Sequence, residues 1–494
     1  AHVGMASEDE SVGTYQNFID HVLPKIKELG YNTIQLMAIM EHPFYGSYGY
    51  HVSSLFAPSF RFGTPSELKI LIEKAHQMGI SIIIDLVHSH VVKNFNEGFD
   101  RFDGSEDMYF HARPRGYHKL WDSLVFNYQK PEVIQFLLSN IRYWLEEFNL
   151  DGFRFDGITS MLYLHHGHSI DFDNYEKYFK DVDVDAFFYL QLANQLIHKV
   201  KPSAMSIAED MSGMPGLGLS TEIGGLDFDY RLGMGIPDYW IKILKEQKDE
   251  DWKLDQLWHE LTSRRYEENT IAYCESHDQA LVGDKTLAFR LMDKEMYWHM
   301  QVDDQNHIIE RGMALHKLIR LVTILSGGEG WLNFIGNEFG HPEWIDFPRE
   351  GNNWSHKHAR RQWSLVENED LKYKFLNEFD QAMVHLVGDE NVLSSGAPEL
   401  ISLDLNNKVL IFTRGGLVCI FNFNTTESFV DYRLGAPRAG AWKIVLSSDE
   451  HRFGGGGHQN IEMEYPTKKI GEHGYDDSLE LYLISRSALV LKAI

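Results

Sequence analysis

Two hydrophobic patterns alternate along most of the chain: amphipathic stretches with helical spacing, and short runs that are apolar at nearly every position. The capping signal Thr64-Pro-Ser-Glu67 opens one amphipathic helix, which is predicted to end at Gly79. The run that follows, Ile80–Val87, has the composition of a strand buried on both faces. The next helix begins near Pro131 and leads to a strand at Gly152. The alternation therefore predicts a parallel sheet covered by helices.

The same pattern predicts eight strands over roughly the first three quarters of the chain. They are Ala1–Ala6, Tyr31–Ile39, Ile80–Val87, Gly152–Asp156, Met205–Ala208, Leu226–Tyr230, Ile271–Cys274 and Trp331–Phe334. Eight strands that alternate with helices favour an α/β fold of the (β/α)₈ TIM-barrel type with long inserted loops. The strand count alone leaves an open, doubly wound sheet as an alternative.

A different pattern begins near residue 390. Short segments such as Val409–Thr413 and Leu417–Phe423 are separated by turn residues, which is typical of an antiparallel β domain. We therefore expect a catalytic barrel over residues 1–390 and a C-terminal β-sandwich over residues 391–494.

Composition narrows the classes of partner. The chain has 72 acidic and 46 basic residues, and its net charge of −26 argues against nucleic acid and anionic membrane surfaces as partners. Two cysteines are too few for a disulfide framework and favour a reducing compartment such as the cytoplasm. We expect no membrane span, because no apolar run of about 18 residues occurs. The many aromatic residues would suit sugar rings.

Carboxylates and histidines follow four of the predicted strands. The four strings are Asp85-Leu-Val-His-Ser-His90, Arg154-Phe-Asp156, Ala208-Glu-Asp210 and Glu275-Ser-His-Asp278. The C-terminal ends of barrel strands meet at one mouth, which is where catalytic residues of such barrels lie. Each string alone has a structural explanation, such as an ion pair at a strand end. Their occurrence together predicts an active site.

Arg154 and Asp156 are two residues apart on one predicted strand, so their side chains project from the same face. A guanidinium beside a carboxylate favours the charged form of the acid. We therefore expect Arg154 to keep Asp156 ionised and nucleophilic.

The four strings, in this order, resemble the four motifs of the α-amylase superfamily (glycoside hydrolase family 13). Longer strings resemble 1,4-α-glucan (glycogen and starch) branching enzymes of the eukaryotic type, and the likeness spans the whole chain. They include Tyr45-Gly-Ser-Tyr-Gly-Tyr50, Ile207-Ala-Glu-Asp-Met-Ser-Gly-Met-Pro215 and Gly336-Asn-Glu-Phe-Gly-His-Pro-Glu-Trp344. Gly46 and Trp354 depart from the family pattern without touching a motif carboxylate. Those enzymes usually carry an N-terminal carbohydrate-binding module ahead of the barrel, which the printed sequence lacks.

The resemblance implies three catalytic residues. Asp156 would be the nucleophile that forms a glycosyl ester, and Glu209 would be the acid/base. Asp278 would bind hydroxyls of the donor ring and stabilise the oxocarbenium-like transition state.

The resemblance also implies five substrate-binding residues. Tyr50 would stack on the donor glucose, His90 and His277 would hydrogen-bond to sugar hydroxyls, and Arg154 would position the nucleophile. Asp85 is equally well explained as a structural residue or as one that faces the substrate.

The reaction implied is cleavage of an α-1,4-glucan and transfer of the enzyme-bound segment to a glucose O6, with retention of configuration. Donor and acceptor would be chains such as amylose, glycogen or amylopectin, in the cytoplasm or in a plastid. No cofactor is implied, and the acidic residues of the loop over residues 91–130 match no calcium-binding pattern. The sequence does not set the oligomeric state, for which a monomer is slightly favoured.

Two other functions use the same residues. An amylase-type hydrolase would pass the glycosyl group to water. A non-catalytic glucan-binding protein would be expected to have lost a carboxylate at 156, 209 or 278, and all three are present. For branching, the aromatic loops Phe44–Tyr50, Trp121–Tyr128 and Trp344–Phe347 are expected to hold the acceptor chain.

Overall fold

The computed structural model describes residues 1–168, 170–281 and 285–494. In chain order the strands of these residues are β1 (Thr33–Leu36), β2 (Met40–Glu41), β3 (Ser54–Pro58), β4 (Ser81–Leu86), β5 (Val91–Val92), β6 (Tyr117–His118), β7 (Ser123–Leu124), β8 (Gly152–Phe155), β9 (Met205–Ala208), β10 (Tyr230–Leu232), β11 (Thr270–Ala272), β12 (Gly330–Trp331), β13 (Glu399–Asp404), β14 (Val409–Arg414), β15 (Leu417–Asn422), β16 (Phe429–Ala436), β17 (Ala441–Ser447), β18 (Glu464–Pro466), β19 (Asp477–Leu483) and β20 (Ser487–Ala493).

The α-helices of the described residues follow the same numbering. They are α1 (Tyr15–Asn17), α2 (Leu23–Leu29), α3 (Pro65–Gln77), α4 (Pro131–Glu147), α5 (Ile158–Leu162), α6 (Tyr175–Lys180), α7 (Val184–Val200), α8 (Gly235–Glu246), α9 (Leu254–Thr262), α10 (His277–Leu281), α11 (Leu287–Met292), α12 (His307–Ser326), α13 (Ser364–Glu367) and α14 (Tyr373–Asp389). Within the described ranges, no helix has the length and apolar character to cross a bilayer.

Seven parallel strands form the central sheet, in the order β1-β4-β8-β9-β10-β11-β12. Strands that are neighbours in this sheet also follow one another along the chain, when the short strands outside the sheet are left out. This order is that of a (β/α)₈ barrel. In β8, Arg154 is in register with Asp85 of β4 on one side and with Ile207 of β9 on the other. This register brings the carboxyl ends of three neighbouring strands to one level.

The predicted first strand, Ala1–Ala6, is wrong. Only Ala1 pairs with β1, through hydrogen bonds from its amino group to the Gln35 carbonyl (2.7 Å) and from the Met37 amide to its own carbonyl (2.9 Å). The chain then turns into a 3-10 helix over Val3–Met5, whose residues are buried. The sheet therefore has seven strands in the described residues rather than the eight that were expected.

The sixth predicted strand is displaced along the chain. The segment from Leu226 has the alternating burial of a strand, but Asp227 has a φ of +58° and accepts hydrogen bonds from Thr221, so the backbone here is irregular and not a strand. The strand itself is β10, which begins at Tyr230.

The helix signals of the sequence are confirmed. The Thr64 hydroxyl accepts a hydrogen bond from the Glu67 amide, and the Glu67 carboxylate accepts one from the Thr64 amide, so this pair forms a capping box ahead of α3. Gly30 ends α2 with a φ of +89°, a conformation that glycine adopts without strain.

The C-terminal strands form two antiparallel sheets packed face to face. The larger has the order β13-β14-β15-β20-β17-β18, and the smaller pairs β16 with β19. Their inner faces enclose a second core, which contains Ile420, Leu434, Trp442 and Leu481. On the barrel side, Lys317 of α12 donates hydrogen bonds to the carbonyls of Ser448 and Phe453, which fixes this region against the barrel. The domain boundary at residue 390 stays a prediction.

Candidate active site

Arg154 connects three of the predicted site carboxylates. Its side chain is 1% exposed, and its Nη1 donates to Asp85 Oδ2 at 2.8 Å and to Asp156 Oδ1 at 3.2 Å. Its Nη2 donates to Glu209 Oε1 at 2.5 Å. These four residues lie at the ends of β4, β8 and β9, as the strand-end argument predicted. One guanidinium thus faces three acids in a water-poor site.

Arg154 lowers the pKa of Asp156, as expected, but other effects outweigh it. Burial and the negative charge of Glu209 raise the pKa of Asp156 well above its usual range, and the opposing effect of Arg154 is smaller. The reason is that one positive charge is divided among several carboxylates.

Glu209 is held from two sides. Its Oε1 accepts from Arg154, and its Oε2 accepts from the backbone amide of Gly157 at 2.7 Å. Gly157 has a φ of +60° and precedes α5 directly after β8, so the turn that ends the Asp156 strand also orients the Glu209 carboxylate. The two carboxyl groups are therefore positioned as one unit.

Asp85 is a positioning residue in this geometry. It is fully buried, and its oxygens accept hydrogen bonds from Gln35 Nε2 (2.7 Å), Tyr50 Oη (2.6 Å) and Arg154. Burial and the charge of Asp85 raise the pKa of Tyr50 well above its usual range, so the phenol stays protonated and donates. Of the two explanations of Asp85 left open by the sequence, these contacts favour the structural one.

Tyr50 and His277 form a stacked pair on the other side of the site. Their ring centroids are 5.5 Å apart with an interplanar angle of 11°, and His277 Nε2 lies 3.0 Å from Tyr50 Oη. The same nitrogen is 3.2 Å from Asp278 Oδ1. Burial alone would raise the pKa of Asp278, but His277 and Arg154 together lower it below its usual range. Asp278 is therefore an anion in this site.

His90 lies beside this network and hydrogen-bonds to the backbone of Tyr50. Its Nδ1 contacts the Ser89 hydroxyl at 2.9 Å, and its ring is 4.7 Å from the Trp121 ring, centroid to centroid. Burial, with the nearby His51 and His118, lowers the pKa of His90 to about 3, so the imidazole is neutral. A neutral imidazole can both donate and accept, as contact with sugar hydroxyls requires.

Sequence reasoning missed two contributors to the site. Gln35 supports Asp85, and its signal was a polar residue between the buried Ile34 and Leu36 of a predicted strand. The Gly157 amide supports Glu209, and a backbone donor leaves no signal in residue type.

Acidic side chains of the loop over residues 91–130 form ion pairs with basic side chains. Asp100 accepts from Arg113 at 2.8 Å, and Asp122 pairs with Lys93 at 2.7 Å. Within the part of the chain that the structure describes, no group of three or more histidine, cysteine, aspartate or glutamate residues could hold a metal ion.

Comparison with protein families identifies both parts of the fold. Residues 5–123 match the model for the α-amylase catalytic domain, and residues 401–494 match that for the α-amylase C-terminal all-β domain. An α-amylase from Geobacillus thermoleovorans superposes with a TM-score of 0.65 at 16% identity, covering 97% of this chain and 92% of its own. One from H. orenii gives 0.66 at 18% identity, covering 100% and 98%. The predicted fold class is confirmed.

Curated relatives give a closer match. A 1,4-α-glucan-branching enzyme from Solanum tuberosum is 54% identical over 484 residues, which are 97% of this chain and 56% of the relative. One from Rhizophagus irregularis is 54% identical over 495 residues, covering 99% of this chain and 72% of the relative. One from Felis catus is 52% identical over 499 residues, covering 100% and 71%. The chain belongs to the 1,4-α-glucan-branching enzyme family of the α-amylase superfamily.

Proposed function

We propose that this protein cleaves an α-1,4-glucan and transfers the cleaved segment to the O6 of a glucose in an acceptor chain, which creates an α-1,6 branch. The reaction is a double displacement, so the anomeric configuration is retained. Asp156, Glu209 and Asp278 are the proposed catalytic residues.

The first displacement breaks the α-1,4 bond. Glu209 donates its proton to the leaving O4 while the Asp156 carboxylate attacks the anomeric carbon. The step requires the proton to reside on Glu209 when Asp156 attacks. Asp278, an anion that is 45% exposed toward the mouth, stabilises the positive charge that develops on the sugar ring.

The second displacement forms the branch. Glu209, now a carboxylate, removes the proton from the acceptor O6, which attacks the anomeric carbon and releases Asp156. The hydrogen bonds that Glu209 accepts from Arg154 and Gly157 support its anionic form at this stage. Water could resolve the same ester, so transfer requires that the acceptor chain be bound and its O6 be oriented.

The observation that carries this mechanism is the guanidinium shared by Asp156 and Glu209. Its two terminal nitrogens hold the proposed nucleophile and acid/base as one unit, at 3.2 Å and 2.5 Å. In retaining enzymes the nucleophile and the acid/base likewise form a close pair. The choice of O6 as acceptor rests on the branching-enzyme relatives.

The remaining assignments follow from the proposed reaction. Tyr50, His90 and His277 bind the donor sugar, while Arg154 and Asp85 hold the carboxylates in place. The substrates are α-1,4-glucan chains, and no nucleic acid or membrane partner is proposed. The proposed compartment is the cytoplasm, or a plastid if the glucan is starch, and the barrel is proposed to end near residue 390.

The test is incubation with amylose while iodine colour and reducing ends are followed together. Branching shortens the linear segments and lowers the colour without new reducing ends, and a debranching isoamylase then releases short chains. Reducing ends that rise in step with the loss of colour would make the protein a hydrolase. No change in either the iodine colour or the reducing ends would make it a glucan-binding protein.

A further inference from the structure

Two exposed aromatic side chains meet at the rim of the active-site mouth. Phe44 lies between β2 and β3, in the segment that leads from β1 to α3, and is 41% exposed. Trp354 lies in the loop after β12 and is 60% exposed. Their rings meet edge to face, with centroids 6.5 Å apart and planes at 89°. We call this pair the Phe44–Trp354 rim. Exposed apolar patches on soluble proteins often mark binding sites.

The rim depends on a glycine. A Cβ atom at Gly46 would lie 2.4 Å from Cζ of Phe44, so the phenyl ring occupies the space that a larger residue would fill. Gly46 and Trp354 are far apart in the chain, and in the structure both contribute to the same pair of rings.

The backbone of Trp354 is strained. Its φ is +59°, in the left-handed region that glycine adopts freely and that a bulky residue rarely enters. A hydrogen bond from its amide to the Arg349 carbonyl (3.0 Å) holds it there. A strained, exposed tryptophan is better explained by what its ring contacts than by stability of the loop.

The rim is continuous with the sugar-binding part of the site. The Phe44 carbonyl accepts from the Ser47 amide (3.0 Å), and the Ser47 carbonyl accepts from the Tyr50 amide (2.9 Å). The two loops are joined by Tyr48 and Phe347, whose ring centroids are 4.4 Å apart. Phe44 therefore stands at the start of the turn that delivers Tyr50 to the site.

Strand order places the rim opposite Glu209. The rim belongs to the loops after β1 and β12, the two outer strands of the sheet, and β9 is the fourth of the seven strands from either edge. Because Glu209 protonates the leaving oxygen, the leaving chain and later the acceptor lie on its side of the mouth. The segment that stays bonded to Asp156 extends the other way, toward the rim.

We propose that the Phe44–Trp354 rim binds the donor segment of an α-glucan during its transfer. This inference rests on the proposed branching function. It changes the expectation that the Phe44–Tyr50 and Trp344–Phe347 loops hold the acceptor chain. Aromatic rings pack against the apolar faces of glucose rings. Binding of the donor at the rim therefore favours the transfer of segments that are long enough to reach the rim.

The test uses Trp354→Gly, because glycine removes the ring and also fits the backbone. In an Asp156→Asn background, which cannot turn over, we expect Trp354→Gly to weaken the binding of maltoheptaose by about two- to tenfold in calorimetry. Binding of maltose, which is too short to reach the rim from Tyr50, should not change. The melting temperature should be unchanged or higher, whereas a tryptophan with a purely structural role would lower it.

Two further variants make the result specific. Gly46→Ala displaces the Phe44 ring and should weaken maltoheptaose binding in the same direction. Trp298→Ala is the control, since Trp298 is 76% exposed and lies in another loop. With Asp156 restored, Trp354→Gly should still branch amylose but transfer a different distribution of chain lengths, as seen after debranching.

The proposal and the branching function fail in distinguishable ways. If the unsubstituted enzyme does not branch amylose, the function is wrong. If it does branch, the rim proposal is overturned by unchanged maltoheptaose binding in Trp354→Gly, by an equal loss in Trp298→Ala, or by a changed oligomeric state without a change in binding.

Discussion

Replacement of Arg154 by methionine tests the electrostatic design of the site. Arg154 is 1% exposed and donates hydrogen bonds to Asp85, Asp156 and Glu209. Methionine approximates the length of the side chain and removes the charge. The three carboxylates would then face one another without the cation that now lies between them.

The expected loss of stability can be worked from burial. Breaking a buried ion pair by removing one partner costs about 3 to 5 kcal/mol. Unfolding entropy of about 2.1 cal/mol/K per residue amounts to about 1 kcal/mol per kelvin for a chain of 494 residues. The melting temperature of Arg154→Met should therefore fall by about 3 to 5 °C. Arg154→Lys, which keeps the charge, should recover part of this loss.

The catalytic effect should be larger and should depend on pH. Without Arg154 the pKa of Asp156 rises further, so the nucleophile is protonated over more of the neutral range. We expect kcat/KM on amylose to fall by at least about 100-fold at neutral pH, and the acidic limb of the pH profile to move to higher pH.

A matched control separates this effect from destabilisation. Arg320 is also buried, at 2% exposure. Its Nε donates to Asp380 over 3.1 Å, in an ion pair that does not include the proposed catalytic carboxylates. Arg320→Met should lower the melting temperature comparably but leave the pH profile in place. The reasoning is refuted if Arg154→Met keeps kcat/KM within tenfold of the unsubstituted enzyme with an unshifted acidic limb.

Two substitutions test the carboxylates themselves. Asp156→Asn should reduce turnover below about one per cent, because an amide forms no glycosyl ester. A carboxyl group whose folded pKa is raised contributes stability below its unfolded pKa of about 4 and loses it as pH rises through the folded value. Asp156→Asn should therefore melt above the unsubstituted enzyme at pH 8 and equally at pH 4, and a lower melting temperature at pH 8 would contradict the raised pKa of Asp156. Glu209→Gln, given an α-maltosyl fluoride whose leaving group needs little protonation, should accumulate a covalent adduct on Asp156; mass spectrometry that finds no adduct would count against this pairing.

Local signals in the sequence predicted most of the barrel. The capping box at Thr64 and Glu67 and the C-cap at Gly30 act within a few residues, and the structure has both. The strand β9 has the predicted bounds Met205–Ala208. The convergence of Asp85, Asp156 and Glu209 was also predictable, because parallel strands bring their carboxyl ends to one edge.

The errors arose where distant contacts decide the local structure. The residues after Ala1 are apolar like a strand, but they turn into a 3-10 helix and pack against Tyr45 and Phe62. The net rise in the pKa of Asp156 was not predictable, because sequence spacing showed one arginine beside one aspartate, and not that Asp85 and Glu209 share the same guanidinium. The Phe44–Trp354 contact joins loops about 310 residues apart, and periodicity cannot predict such a contact.

The most direct test of the proposed function is the stoichiometry of linkages, measured by proton NMR during the reaction with amylose. Anomeric protons of α-1,4 bonds, α-1,6 bonds and reducing ends give separate signals. If the ester on Asp156 is resolved by a sugar O6, one α-1,6 bond should form for each α-1,4 bond lost, while the reducing-end signal stays constant. One new reducing end for each α-1,4 bond lost, with no α-1,6 signal, would contradict the account.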